Sequence, residues 1–306
     1  MTSSAPARRQ RRATRAPAIT RIAAGIDGFP EGRDAAALGQ LLAQATGAHL
    51  TLVAVYTAPL VPTPPELGYT SLRKQSLRAL REVRDSLAPG ARTVTASDHS
   101  VARSLHRVVR RYHSDLLVVG SSRDALEGRV RIGKRTRQLL CHSDCALAVA
   151  PRGIHTNPRS GLNRIAVGYD GGPESDAALA LAATIAAGGG AELQVEAVVD
   201  DRVPGIIWSG LAEAIRPEWD QVIEDEMDQI REQALATGRL TGAQFDVTVA
   251  RGRPADRLLA LSDTVDLLVI GSRRWGPRAR LLLGSTGEAL MHDAACAVLA
   301  VPRPAR

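Results

Sequence analysis

The 306-residue chain sets 39 lysines and arginines against 32 aspartates and glutamates, for a formal net charge of +7, and is 44% hydrophobic and 23% charged. That balance is ordinary for globular protein and excludes a chain disordered throughout. Three cysteines exclude a disulfide scaffold, and the longest weakly polar stretch, 177–191, is too short to span a bilayer.

Residues 1–19 hold Arg8, Arg9, Arg11, Arg12 and Arg15 and no acid, so removing five charges from +7 leaves +2 for the rest. The expectation is a disordered basic tail capable of weak, salt-sensitive contact with polyanions. No basic residues interleaved with aromatics on a folded face can be read. With no apolar signal core after the N-terminus and no membrane span, a cytoplasmic location is the default.

The first strand is expected at 22–26, ending at Asp27-Gly28, with a helix over 31–46 stopped by Gly47. A strand at 50–56 leads to a four-proline loop at 58–67 and a basic amphipathic helix at 71–87. A third strand at 93–96, a helix at 101–112, a strand at 116–119, a helix at 135–142 and a strand at 146–150 complete the first half. A polar linker follows at 153–162. The second half is expected as a strand at 165–168, a helix at 175–187 and a strand at 193–199. A long middle segment around Trp208 and Trp219, read as a loop pinned by tryptophan, comes next. The chain ends with a strand at 245–250, a helix at 257–261, a strand at 267–270, a helix at 285–291 and a strand at 297–301. Strands alternating with helices specify parallel sheet covered on both faces.

The order repeats because the sequence does. Asp115, Gly120, Gly133, Cys145 and Pro151 recur 151 positions later as Asp266, Gly271, Gly284, Cys296 and Pro302. The strand-end segment around Asp27 recurs around Asp170, 143 positions later, so the second copy is longer in its middle by 151 − 143 = 8 residues. A repeat of this period means two whole domains. Cys145 and Cys296 read as small buried thiols. Neither Cys141-His142-x-x-Cys145 nor His292-x-x-x-Cys296 supplies two clean ligand pairs for zinc.

In each half a buried strand delivers the chain through a glycine-containing loop to a helix start. Free N–H groups and the helix dipole favour an anion there. Gly284, Ser285 and Thr286 open that helix in the second half, Ser285 as an expected cap. Gly271 is expected to let backbone approach a ribose or phosphate. In the first half Gly133 is followed by Lys134. The stretch Gly128 to Lys134 mimics a P-loop, but Arg135 stands where a magnesium-binding hydroxyl is needed and no strand precedes it directly.

The strand-end aspartates, the two DLLV-Gly-Ser blocks and the final AVLAVP strand resemble the universal stress protein family in its tandem form, over about residues 21–302. The resemblance implies two tandem doubly wound α/β domains with parallel five-stranded sheets, nucleotide-binding and adenine nucleotide alpha hydrolase-like. The first would span 20–152 and the second 163–303, packed as an intramolecular pseudo-dimer, last strand against last strand. ATP-binding members carry Gly, two residues, Gly, nine residues, Gly, then Ser or Thr. Gly271, Arg274, Gly284 and Ser285 keep that spacing with arginine at the second glycine. Gly120, Arg123, Gly133 and Lys134 lose both that glycine and the hydroxyl. By resemblance Asp170, with backbone near Val198 and Ile270, would hold the adenosine end of ATP, with Mg accompanying the nucleotide. Asp27 with Gly120 and Gly133 would form a degenerate first site. The leading expectation is an ATP-binding stress-response sensor or switch without substantial turnover, not an enzyme. The alternative is a nucleotide-free dimerisation or protein-interaction module. An enzyme would need chemistry from Asp27 or Asp170, the only strand-end groups that qualify.

Overall fold

The computed structural model describes residues 19–56, 69–140, 143, 145–157, 161–202, 216–272 and 281–303. The basic tail, Cys141, His142, Trp208, Arg274 and Gly276 lie outside the described residues.

The first half runs β1 (Arg21–Ile26), α1 (Pro30–Thr46), β2 (His49–Tyr56), α2 (Tyr69–Leu87), β3 (Arg92–Ser97), α3 (Val101–Tyr112), β4 (Leu116–Gly120), α4 (Lys134–Leu140) and β5 (Ala146–Ala150). The second runs β6 (Arg164–Tyr169), α5 (Pro173–Gly189), β7 (Glu192–Val199), α6 (Arg216–Thr241), β8 (Asp246–Arg251), α7 (Pro254–Ser262), β9 (Leu267–Gly271), α8 (Ser285–Asp293) and β10 (Ala297–Val301). Local chemistry sets the ends of α1 and α5. Each starts on a proline, whose missing N–H costs nothing there, and stops at a left-handed glycine, Gly47 or Gly190, each at φ 69°.

The middle segment departs from expectation. Most of it is α6, a 26-residue helix that answers the 19-residue α2 and absorbs the extra length of the second copy. Its buried residues Ile223, Ile230 and Ala234 fall at helical spacing, a pattern diluted by the charges between them. Trp219 belongs to this helix, and its indole N–H donates to the Asp201 carbonyl at 3.2 Å.

The two expected five-stranded sheets are joined into one ten-stranded sheet, ordered β3-β2-β1-β4-β5-β10-β9-β6-β7-β8. Neighbours are parallel except β5 and β10, which meet antiparallel with Val298 opposite Val149 and Leu299 opposite Ala148. The last strands thus cover each other's edges, which would otherwise template aggregation. Ala148 and Leu299 are 151 positions apart and so are equivalents, which puts a pseudo-two-fold axis through that pair. One core lies under α1, α2, α5 and α6 and the other under α3, α4, α7 and α8, each with side chains from both halves.

The segment after β5 is not a free linker at its start. Asp34 of α1, fully buried, accepts from the amides of Gly153 (2.9 Å) and His155 (3.0 Å) and pairs with His155 Nδ1 at 2.5 Å. Cys145 and Cys296 are buried thiols. Among the described residues no helix is long and apolar enough to cross a membrane, and no cluster suited to a metal ion occurs.

Candidate functional site

The chain leaves β6 for β7 on one side and reaches β9 on the other, so the C-terminal ends of β6 and β9 border a topological switch point. Parallel sheets open a crevice for ligands at such a point. A cleft of about 310 Å³ lies there. Asp170 follows β6, Ile270 and Gly271 end β9, and Gly284, Ser285 and Thr286 lead into α8; all six line the cleft together with Val198. Of the second-half residues expected from sequence, only Arg274 falls outside the described residues.

Strand register explains Val198. Pairing of β7 with β6 stops at Ala197 opposite Tyr169, while pairing with β8 continues to Val199 opposite Arg251. The Val199 carbonyl accepts the Gly252 N–H at 2.9 Å on the β8 side. Backbone groups of successive strand residues face opposite sides, so Val198 faces the β6 side, where its carbonyl lies beyond the last paired residue of β6. That is an acceptor suited to the edge of a nucleobase.

At the other end of the cleft is the N-terminus of α8. Gly284 is its N-cap, extended at φ −84° and ψ 179°, with no side chain bonded to the first turn. Ser285 is therefore the first helical residue and not the expected cap, because the chain enters the helix one residue earlier than a Ser cap requires. A Cβ built on Gly284 meets nothing within 4 Å among the described residues. Uncapped N–H groups are what an anion needs.

The role expected of Gly271 changes. A Cβ there would lie 2.7 Å from the carbonyl carbon and oxygen of Glu174, and at Gly120 it would lie 2.0 Å from the Glu31 carbonyl oxygen. In both halves this glycine is needed because the first turn of α1 or α5 lies against the strand end. That packing brings backbone, not ligand, into the space of the missing side chain.

Sequence reasoning missed Glu174, Ser175, Glu196 and Leu258, which also line the cleft. Ser175 Oγ donates to Asp170 Oδ1 at 2.8 Å and the Gly172 amide donates to the same oxygen at 2.9 Å, fixing the carboxylate. Glu174, 3% exposed, pairs with Arg303 Nε at 2.9 Å. Glu196, 6% exposed, accepts from Arg257 Nε at 2.6 Å. The hydrogen bond to Glu196, then its charge, holds the Arg257 guanidinium above the ordinary arginine value. Three carboxylates thus line the cleft, but two are neutralised by arginines and the third is committed to local donors. A charged residue inside the apolar run of β7 was the available signal for Glu196.

The first half uses the same frame differently. Asp27 Oδ1 accepts only the Phe29 amide among the described residues, at 3.1 Å. The Arg123 guanidinium lies 3.6 Å above the Phe29 ring and 4.0 Å from Glu31 Oε2, so it is engaged at the start of α1. A Cβ on Gly133 would meet Ser122 at 3.7 Å. Ser121 Oγ donates to the Ala150 carbonyl at 2.7 Å and accepts the Arg131 N–H at 3.2 Å. Its equivalent Ser272 lines the second-half cleft, with its buried Oγ lacking a partner among the described residues. The structure brings Asp27, Gly120 and Gly133 to the matching end of the first half, around a loop that its own side chains occupy.

Each helix start is held by the opposite half. The Leu281 amide donates to the Ser143 carbonyl at 3.2 Å, and the Val130 amide to the Ala294 carbonyl at 2.8 Å. These are the same bond related by the pseudo-two-fold.

Comparison with known proteins agrees with this geometry. The model of the universal stress protein family matches twice, at residues 18–151 and 161–302. A universal stress protein of Mycobacterium tuberculosis is 27% identical over 299 residues, covering 91% of this chain and 95% of the relative. One from Thermus aquaticus is 31% identical over 143 residues, covering 45% of this chain and 96% of its own. Among solved structures, a universal stress protein from Archaeoglobus fulgidus superposes with a TM-score of 0.63 at 17% identity, over 92% of this chain and 96% of that one. A Pseudomonas aeruginosa protein gives 0.62 at 18% identity, over 93% and 94%. The chain belongs to the universal stress protein family, as a tandem of two such domains.

Proposed function

We propose that the second domain binds ATP in the cleft between β6, β9 and α8, and that the protein acts in stress response as a nucleotide-occupied switch without substantial turnover. The observation that carries this reading is the continuous run from a base-sized crevice to an uncapped helix N-terminus. The base meets the backbone of Val198 beside Asp170. The ribose crosses the ends of Ile270 and Gly271, and the phosphates reach the N–H groups at Gly284, Ser285 and Thr286. Arg274 is placed by sequence spacing to donate to phosphate oxygens. Mg would enter as the nucleotide's own counter-ion.

None of the cleft carboxylates stands as a free base beside an activated nucleophile, which favours holding a nucleotide over turning it over. The cytoplasm, where ATP is held, is the compartment this reading requires. The basic tail adds weak polyanion contact. Calorimetry with ATP, with and without Mg, tests the proposal: micromolar binding at one site supports it. Absence of heat at millimolar ATP would leave the nucleotide-free interaction module as the reading of this chain.

A further inference from the structure

The N-terminal ends of β1, β2 and β3, away from Asp27 and Gly120, surround a second concavity of about 300 Å³. Arg21, His49 and Arg92 line it, with Tyr112 and Ser114 completing the wall. None of the three basic side chains makes an ion pair among the described residues. Asp115, next in sequence to Ser114, does not neutralise them through its Oδ2. That oxygen accepts from the amides of Thr20 (2.8 Å) and Arg21 (3.0 Å) and from the Thr20 hydroxyl (2.9 Å).

Tyr112 holds one of the cations in place. The Arg92 guanidinium lies 4.9 Å from the centre of its ring, and that of Arg111 lies 5.9 Å away. A cation held against a ring loses little freedom when an anion arrives, so the wall is partly preorganised. Arg110 and Arg111 need no ligand to explain them, since they close the C-terminus of α3, where the helix dipole favours positive charge. Arg21, His49 and Arg92 start strands, which offer no comparable dipole.

The other half shows that this charge does not come with the fold. Thr51 pairs with Arg92 where Gln194 pairs with Asp246, so Arg92 and Asp246 are equivalents. The repeat offsets of 143 and 151 likewise set Glu192 in the place of His49 and Asp263 in the place of Tyr112. One half carries a basic concavity at the place where the other keeps Arg164 in the place of Arg21 but sets three acids around it. Clustered like charge destabilises the folded state, and a bound anion relieves it.

We infer that this concavity binds a compact, multiply charged phosphate, held by Arg21, His49 and Arg92, at a site separate from the ATP cleft. Its volume is at the small end of ligand sites, about 300–1,000 Å³. A walled pocket of that size suits a free oligophosphate or a small phosphate ester, whereas a duplex backbone is tracked by an extended stripe of charge. The residues come from three strands and a helix C-terminus, so no local motif announces them.

The test is calorimetric titration of the full chain with sodium tripolyphosphate, in a Gly284→Val background that closes the helix start of the other cleft. Binding there is expected, with affinity weakened about tenfold or more in Arg21→Gln/Arg92→Gln, as when charge-assisted hydrogen bonds are removed. The weakening should be larger in Arg21→Glu/Arg92→Glu. Both side chains are exposed, so the melting temperature should hold, and the neutral pair guards against misfolding of the reversed one. Equal binding by parent and variants, or no binding by the parent, would overturn the inference. Stronger competition by duplex DNA than by tripolyphosphate for the same arginines would also overturn it, by assigning the patch to nucleic acid.

Discussion

A Cβ on Gly188 would stand 1.9 Å from the carbonyl oxygen of Ala45. The two residues are 143 positions apart, hence equivalents that meet where α1 and α5 cross near the pseudo-two-fold axis. Two identical halves could not make this contact well, since alanine opposite alanine would clash. In the fused chain one copy can drop its side chain to fit the other. Gly188→Ala tests the contact. Helix propensity alone would stabilise by about 1 kcal/mol, but the overlap is with backbone and no rotamer relieves it. The expected outcome is net destabilisation of about 1–3 kcal/mol by urea unfolding. Gly189→Ala, whose Cβ would meet Ala45 Cβ at 3.2 Å, should change stability much less.

On the opposite face of the sheet the axis passes between Arg137 of α4 and Glu288 of α8, also equivalents, with Nη1 and Oε1 3.5 Å apart. Both are about half exposed, so the pair is worth no more than about 1 kcal/mol. Glu288→Arg should lower the melting temperature slightly, and adding Arg137→Glu should restore it. A double-mutant cycle showing no coupling would mean that the Arg137 contact with His292 Nε2, at 3.0 Å, dominates at this crossing.

The glycines of the loop divide by physical role. Gly120→Ala and Gly271→Ala each drive a Cβ into the backbone of Glu31 or Glu174, so both should destabilise by about 2 kcal/mol or more whether or not nucleotide is present. Among the described residues a Cβ on Gly284 meets nothing within 4 Å and its φ is ordinary, so the melting temperature of Gly284→Ala should hold. Thermal unfolding of the three variants without nucleotide separates packing glycines from the one that faces a ligand.

The parallel fold and the repeat are legible in one dimension, because buried strands, capped helices and a fixed offset leave local marks, whereas the edge pairing of β5 with β10 is expected only from the family resemblance. Gly271 and Gly284 are legible because motif spacing carries them, and Asp170 and Val198 because the family resemblance implies them. The reason for Gly271 is not, since its neighbour Glu174 lies almost a hundred positions earlier. Glu196 looks like a stray charge until Arg257 comes beside it. The long helix α6 has the sequence character of a loop because its buried residues are sparse among charges. The basic concavity leaves no local mark because Arg21, His49, Arg92 and Tyr112 are brought together only by strand register.

The two domains should bind nucleotide unequally. Among the described residues the second half offers a helix start with nothing within 4 Å of a Cβ on Gly284, a crevice lined by Val198, and Ser272 with an unpartnered hydroxyl. The first half has its Ser121 hydroxyl satisfied, Arg123 stacked on Phe29, and Lys134 in place of the hydroxyl residue after Gly133. Each charge-assisted hydrogen bond to phosphate that a site lacks costs about 1.5–3 kcal/mol, or roughly one to two decades of affinity. Several such deficits move a micromolar site out of useful range, so about one ATP should bind per chain at saturation. Gly284→Val should eliminate that binding by filling the space above the helix start, while Gly133→Val should leave it nearly unchanged. Arg274→Gly reports on the residue that replaces the family's second glycine: weaker binding means the guanidinium holds phosphate, and tighter binding means it obstructs. Calorimetry that counts two equal sites would defeat the asymmetry, because it would mean that Arg123 and Lys134 leave their stacked and helical positions to supply the phosphate ligands missing from the first half.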